Sequence, residues 1–336
     1  MKPTRRTFLQ SGAVAASAAI VQPHFAALPA PEPSGDRKYR FVQIDVFTSR
    51  RLEGNALAVF PDASGMTPDE MLAIARETNL QETTFVIPRD PEIEREQGVK
   101  VHIYTPQQET PFGGHPTLGT AMVLHNRRLT ERKAEQPSAI TLDLKVGKIP
   151  VAFSRDAAGE VFGEMHQVDP LFGKTHDRET VSALIGVKPS DISDDWPIQS
   201  VSTGLQFAIA PLKTIAALQS ILPDQSKIKS YFSGETVLSD FYYITRDTQD
   251  AKVGLRTRAI FPDGEDPATG SASGCTASWM VRYGLAQPDE TVHILQGVEI
   301  FRPSHIYARA DKSDNKVTNV RVGGNAVEIA HGEYSL

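Results

Sequence analysis

Residues 38–48 alternate between apolar and polar, with Val42, Ile44 and Val46 on one side, the two-residue period of a strand. Asn55–Phe60 repeats the pattern after a turn, and Pro61-Asp62-Ala63-Ser64-Gly65 breaks it. The period then changes. Thr67-Pro68-Asp69-Glu70 is a capping box with proline at the first helical position. Met71, Ile74 and Ala75 follow at helical spacing, which predicts a helix that stops near Asn79, a residue tolerated at a left-handed C-terminal position. Residues 80–88 are β-branched and aromatic and predict a strand with Glu82 at its mouth. The polar run 90–97 reads as a hairpin tip, and 100–105 as the strand after it.

Further along, 127–137 is polar and charged and is the best candidate for a domain boundary. Short strands recur at 139–146, 149–153 and 160–165, and a helix at 180–185 ends at Gly186. Ser202-Thr203-Gly204 precedes an apolar strand, 216–222 reads as a helix, and 241–245 and 253–261 as strands. The runs 319–322 and 326–330, separated by Gly323-Gly324-Asn325, read as a hairpin.

Two stretches stand out because they are versions of one another. Gly113-Gly114-His115-Pro116-Thr117-Leu118-Gly119-Thr120-Ala121 and Glu265-Asp266-Pro267-Ala268-Thr269-Gly270-Ser271-Ala272 share Pro-x-x-Gly-[Ser/Thr]-Ala. Each has a titratable residue directly before the proline, and each runs into a helix-competent segment. Proline suits a helix start, and the residue before it is steered out of the α region, so His115 and Asp266 are expected at cap positions. Two helix N-termini facing one pocket would bind a carboxylate and stabilise an enolate-like charge. The duplication, with many short strands and one strong helix per half, predicts two α+β domains, each a curled sheet around a central helix, and excludes a doubly wound parallel sheet.

Composition changes this picture in three places. The chain has 336 residues, 40% hydrophobic and 23% charged, enough for two domains. A net charge of −6 with scattered Lys and Arg argues against nucleic acid as a partner. Cys275 is the single cysteine and the nine histidines lack ligand spacing, so no disulfide framework and no metal are expected. Thr4-Arg5-Arg6-Thr7-Phe8-Leu9-Gln10, a weakly apolar stretch over 11–21 and a Pro/Ala linker fit a twin-arginine export signal, too short for a membrane span. The expected organisation is signal and linker over 1–37, an N-terminal half over 38–134 and a C-terminal half over 135–336, whose last strand can return to the first half. The expected location is the periplasm or beyond, with no membrane association after export.

Asp45-Val46-Phe47-Thr48, Gly54-Asn55, Asn79-Leu80-Gln81-Glu82-Thr83-Thr84-Phe85, Pro111-Phe112-Gly113-Gly114-His115-Pro116, Val201-Ser202-Thr203-Gly204-Leu205 and the second repeat together resemble the PhzF-like family of phenazine biosynthesis. Gln296-Gly297 and Arg302-Pro303-Ser304 extend the match, which covers nearly everything from Lys38 onward. The resemblance implies a diaminopimelate-epimerase-like fold of two pseudo-symmetric domains, a homodimer, and cofactor-independent isomerase chemistry on a small carboxylate-bearing molecule. By the same resemblance Glu82 is the acid/base group that moves a proton between carbons, His115 and Asp266 assist, and Ser271 belongs to the site. Gly114 and Gly270 with Ser271 are candidates to contact substrate through their N–H groups, and Asn55 through its side chain. A carboxylate works as acid and base at neutral pH only if its surroundings raise its pKa, which a partly buried cleft beside Asp266 would do by desolvation and like charge. The true epimerases of this fold use two cysteines, one in each half near these motifs; here the comparable stretches, Gly113-Gly114-His115 and Pro267-Ala268-Thr269, hold none. An amino-acid-type racemase using Glu82 with His115 or Asp266, and an exported binding protein on the same scaffold, are the alternatives.

Overall fold

The computed structural model describes residues 37–130, 138–234 and 239–336. The export signal expected over 1–37, Arg37 apart, and the expected boundary between 134 and 135 lie outside the described residues. Residues 38–335 form one compact unit.

The chain runs β1 (Lys38–Val46), β2 (Asn55–Phe60), α1 (Pro68–Thr78), β3 (Thr83–Ile87), α2 (Pro91–Gln97), β4 (Val99–Tyr104), β5 (Glu109–Thr110) and α3 (Gly114–Thr130). It continues through β6 (Ala139–Leu144), β7 (Gly147–Arg155), β8 (Val161–His166), β9 (Leu171–His176), α4 (Arg178–Ile185), β10 (Ile198–Ser202), β11 (Gln206–Leu212), α5 (Ile215–Ser220) and α6 (Gln225–Phe232). Then follow β12 (Ser239–Thr245), β13 (Leu255–Arg258), the small hairpin β14 (Ile260–Phe261) and β15 (Gly264–Glu265), α7 (Gly270–Arg282), β16 (Val292–Gln296), β17 (Ser304–Ser313), β18 (Lys316–Gly324) and β19 (Ala326–Ser335).

Hydrogen bonding joins 17 of these strands into one sheet. One run of neighbours is β19-β1-β2-β3-β4-β6-β7-β8, the other β9-β10-β11-β12-β13-β16-β17-β18, and β8 pairs with β18 to join them. The pairing sense along each run is the same: antiparallel twice, then parallel, antiparallel, parallel, and antiparallel twice more. The fold is thus α+β, with two pseudo-symmetric halves, each a curled sheet around a central helix. The terminal strand of each run comes from the far side of the other: β9 follows β8 in the chain, and β19 follows β18.

The first run wraps α3 and the second wraps α7. Leu118, Ala121 and Met122 of α3 pack into a core with Ile44, Val46 and Leu57. Every residue of α7 from Gly270 to Val281 is buried, although the helix is rich in Ser, Thr and Gly. Small residues let strands close around it, and three of its hydroxyls are satisfied within the helix. Ser273 Oγ, Thr276 Oγ1 and Ser278 Oγ donate to the carbonyls four residues back at 2.9, 2.9 and 2.8 Å.

Three local expectations change. Residues 91–97 are a helix, not a hairpin tip, because Asp90 caps Glu92 N, Pro91 opens it and Gly98 ends it at φ 92°. The strands either side of Asn325 do not form a hairpin: β18 pairs with β17 and β8, and β19 crosses to β1. The repeated motifs start their helices at different registers. His115 and Pro116 lie inside the first turn of α3, where a missing N–H costs nothing. Asp266 precedes α7 by four residues, in a loop held open by Gln296.

Candidate active site

The two central helices meet end to end. A Cβ on Gly114 would lie 2.5 Å from Ser271 N and 2.6 Å from Gly270 C, so only glycine lets the helix starts come this close. Among the described residues, the N–H groups of Gly114, His115, Gly270, Ser271 and Ala272 have no hydrogen-bond partner. All five residues are buried. Two positive dipole ends and a set of unused donors therefore converge on one place, an arrangement that favours an anion. Beside it, Phe47 is held at φ 64° by bonds from its N–H to Asn325 O (2.9 Å) and from His305 N to its carbonyl (2.7 Å). Its fully buried ring is wedged close against Gly270 and Gly324. A bulky residue held there stores strain next to the helix ends.

Glu82, one residue ahead of β3, aims its carboxylate at this space, with Oε2 3.5 Å from His115 Nε2. Asn55 Nδ2 lies 3.0 Å from His115 Nδ1. An amide NH2 only donates, so Nδ1 is the acceptor and the ring proton is assigned to Nε2, facing Glu82. No group accepts from that buried Nε2 within hydrogen-bond geometry. Asn55 also donates to Asp266 Oδ1 at 2.6 Å and lies 3.2 Å from both Gln81 Oε1 and Ala268 O, so two amide hydrogens serve four acceptors. Asp266 in addition accepts from Thr269 Oγ1 at 2.6 Å and Ala268 N at 3.2 Å.

The elements under these groups explain their placement. Asn55 opens β2 and pairs with Val46 of β1. Before it, Gly54 sits at φ 69°, where a Cβ would come 2.3 Å from Val46 O. Arg302 reaches across to Gly54 O (2.7 Å), Glu53 O (2.8 Å) and Asp45 Oδ1 (2.7 Å), and Leu52 N donates to the other oxygen of the fully buried Asp45 at 2.7 Å. Gln296 performs the same service for the second motif. Its amide donates to Asp266 O and Thr269 Oγ1, both at 2.8 Å, and accepts from Thr269 N at 3.1 Å and Tyr242 Oη at 2.7 Å.

Burial, then the charges of Asp266 and Asp263, raise the Glu82 carboxyl to about 8. About a fifth of the side chain (21%) still reaches solvent, so the group is desolvated yet open to the cleft. Burial also raises Asp266, to about 6, against the pull of its bonds to Thr269, Ala268 and Asn55. His115 is lowered to about 3 by burial and is neutral throughout the physiological range. At neutral pH the site therefore holds a mostly protonated Glu82, a mostly ionised Asp266 and a neutral imidazole, the kind of divergence that separates acid from base. Cys275 is fully buried with its thiol pushed up to about 11, so it takes no part as a thiolate.

All the expected site residues come together: Asn55, Glu82, Gly114, His115, Asp266, Gly270 and Ser271. Sequence reasoning missed the Asp45–Arg302 pair and Asp263. Asp263 is exposed at the tip of the β14–β15 hairpin, three residues before Asp266, and only that nearness hinted at it.

Helix ends and perturbed carboxyls at the centre of a curled-sheet pair suit acid/base chemistry on an anionic molecule. The family model for phenazine biosynthesis-like proteins, PhzC-PhzF, matches residues 44–332. The trans-2,3-dihydro-3-hydroxyanthranilate isomerase of Pseudomonas chlororaphis is 35% identical over 305 residues, covering 89% of this chain and 100% of that one. A Bacillus anthracis phenazine biosynthesis protein of the PhzF family superposes with a TM-score of 0.78 at 25% identity, covering 89% of this chain and 99% of that one. A hydroxyproline epimerase from Agrobacterium vitis shares the fold alone, with a TM-score of 0.57 at 11% identity over 89% of this chain and 93% of that one. The chain belongs to the phenazine biosynthesis-like PhzF family and is an isomerase.

Proposed function

We propose that this protein moves a proton between two carbons of a small carboxylate-bearing molecule, without a cofactor, through Glu82. The observation that carries the reading is the Glu82 carboxyl, raised to about 8 and facing an unpartnered His115 Nε2–H beside two unsatisfied helix ends. The N–H groups of Gly114, Gly270 and Ser271 hold the substrate carboxylate. Ionised Glu82 takes a proton from a carbon, and the electron pair left behind spreads into the adjacent unsaturated system. Neutral Glu82 then returns the same proton to a different carbon, so atoms and charge balance and no co-reactant is consumed. A pKa near the working pH makes one carboxyl effective in both directions. His115 stabilises the ionised form through Nε2–H, and Asp266, held by Asn55 and Thr269, keeps the carboxyl's proton affinity high.

The same reading takes the active species to be a homodimer, as the family resemblance implies, and to be exported through the twin-arginine signal, on the strength of Arg5-Arg6 and the apolar and linker regions that follow. Export from the cytoplasm favours a substrate other than a phenazine precursor.

The test is turnover by purified protein, followed by NMR. Substrates are trans-2,3-dihydro-3-hydroxyanthranilate, the compound in the name of the Pseudomonas chlororaphis relative, and a panel of small unsaturated carboxylates. Double-bond migration without added metal or nucleotide is expected, and loss of it in Glu82→Gln. Comparable turnover by that variant would exclude the mechanism.

A further inference from the structure

Gln167, in the connection between β8 and β9, is almost fully buried at 6% exposure and touches none of the reacting groups. Its Nε2 donates to Gly270 O at 3.0 Å. Its Oε1 accepts from Thr203 Oγ1 at 2.6 Å, and Thr203 is 1% exposed. A carbonyl can only accept, so the amide orientation is fixed: the NH2 must face Gly270. The main chain of Gln167 is tied in turn by its N–H to Val320 O at 2.9 Å.

The surroundings are shaped for this side chain. A Cβ on Gly274 would lie 2.0 Å from Gln167 Oε1. Glycine inside a helix is less favourable than alanine, so its place one turn into α7 calls for a packing reason, and the Gln167 amide supplies it. Gly270 C=O and Ser271 N–H belong to one peptide plane, and in a trans peptide they point in opposite directions. Holding the carbonyl from behind therefore aims the N–H forward, towards the meeting point of the helix ends. A donor on the carbonyl also polarises the peptide and strengthens its N–H as a donor.

We propose that Gln167, locked by Thr203, is a positioning residue that orients and strengthens the Ser271 N–H for the substrate carboxylate. This rests on the reading that the helix ends hold a carboxylate. It makes anion recognition at the second motif depend on a side chain 103 residues away.

The test is a double-mutant cycle of Gln167→Met and Gly274→Ala in the purified protein, with Thr203→Val as a milder variant should Gln167→Met fail to fold. Two readouts are used: the Ser271 and Ala272 amide signals in the ligand-free protein, and the affinity for anthranilate, a small aromatic carboxylate. Each single change is expected to shift the Ser271 amide signal and weaken anthranilate about tenfold, the scale of one hydrogen bond. The double variant should be no worse than the worse single one, because Gly274→Ala acts by expelling Gln167. Anthranilate affinity within about twofold of the parent in Gln167→Met, or additive effects in the double variant, would overturn the proposal. Failure of the parent protein itself to bind anthranilate would count against the carboxylate reading. The Ser271 amide would still judge the clamp, and an unshifted signal in Gln167→Met would sink it.

Discussion

Glu82→Gln should impair the enzyme and stabilise the fold at once. The folded state binds the Glu82 proton more tightly than the unfolded chain does, since its carboxyl moves from 4.5 to about 8, with burial the largest cause. Stability from this group is therefore full below about pH 4.5 and is lost as pH rises towards about 8. At about 1.36 kcal/mol per pKa unit, the penalty reaches about 5 kcal/mol above pH 8, about 3 kcal/mol at pH 7 and under about 1 kcal/mol at pH 5. The fifth of the side chain left in water screens part of this, and half of each value is the working expectation. Glutamine keeps the shape and can accept from His115, but has no proton to lose. The variant should match the parent near pH 5 and exceed it by about 2 to 3 kcal/mol at pH 8, a rise in Tm on the order of 5 °C for a chain of this size. Turnover should fall at least about a hundredfold, the scale of general acid–base catalysis. Thermal unfolding at pH 5, 6, 7 and 8 measures the gap directly. A gap that stays constant across that range, or a variant less stable at pH 8, would show that burial does not hold Glu82 neutral.

Asp266→Asn removes the largest like charge acting on Glu82, so the rising limb of the pH–rate profile should move to lower pH; an unmoved limb would detach the two groups. Arg302→Ala leaves the fully buried Asp45 carboxylate without its cation and should cost about 3 kcal/mol in urea denaturation, with Asn55 losing its support. Replacing Arg5 and Arg6 by Lys should leave the protein in the cytoplasm, which cell fractionation reads; unchanged periplasmic delivery would remove the twin-arginine reading.

The groups that meet in the cleft were legible because each sits in a short motif whose residue types suit a helix end or a strand mouth. Their electrostatics were only partly legible. That Asp266 would raise Glu82 follows from two carboxylates sharing a cleft, but the contribution of Asp263 depends on a hairpin tip folding back. Gln167 and Gln296 were invisible as braces because the groups they hold in place, Gly270 O for one and Asp266 O and Thr269 N for the other, are backbone atoms, which leave no complementary residue type to find. The Gly323-Gly324 pair misled for a related reason. It resembles a turn, yet neither residue has a positive φ. Both are small because something lies against them: a Cβ on Gly323 would come 2.7 Å from Gly163 O, and one on Gly324 2.7 Å from Phe47 Cδ1. Strand periodicity identified most strands, but their partners are often remote in sequence, so the matched pairing sense of the two runs emerged only in three dimensions.

The crossing of β9 and β19 has a consequence for how the chain is made. β1 leaves the ribosome long before β19, which is one of its two neighbours in the sheet. Until residues 326–335 emerge, the β1 edge carrying Phe41 and Val42 has unpaired backbone groups, the kind of edge that recruits other strands. The growing chain therefore carries that open edge while all the intervening strands are made and gains the native sheet only once β19 has emerged. A premature stop between His305 and Ala326 would yield a polypeptide with Glu82, His115, Asp266 and Ser271 all present and an unsealed first half, a substrate for aggregation or proteolysis.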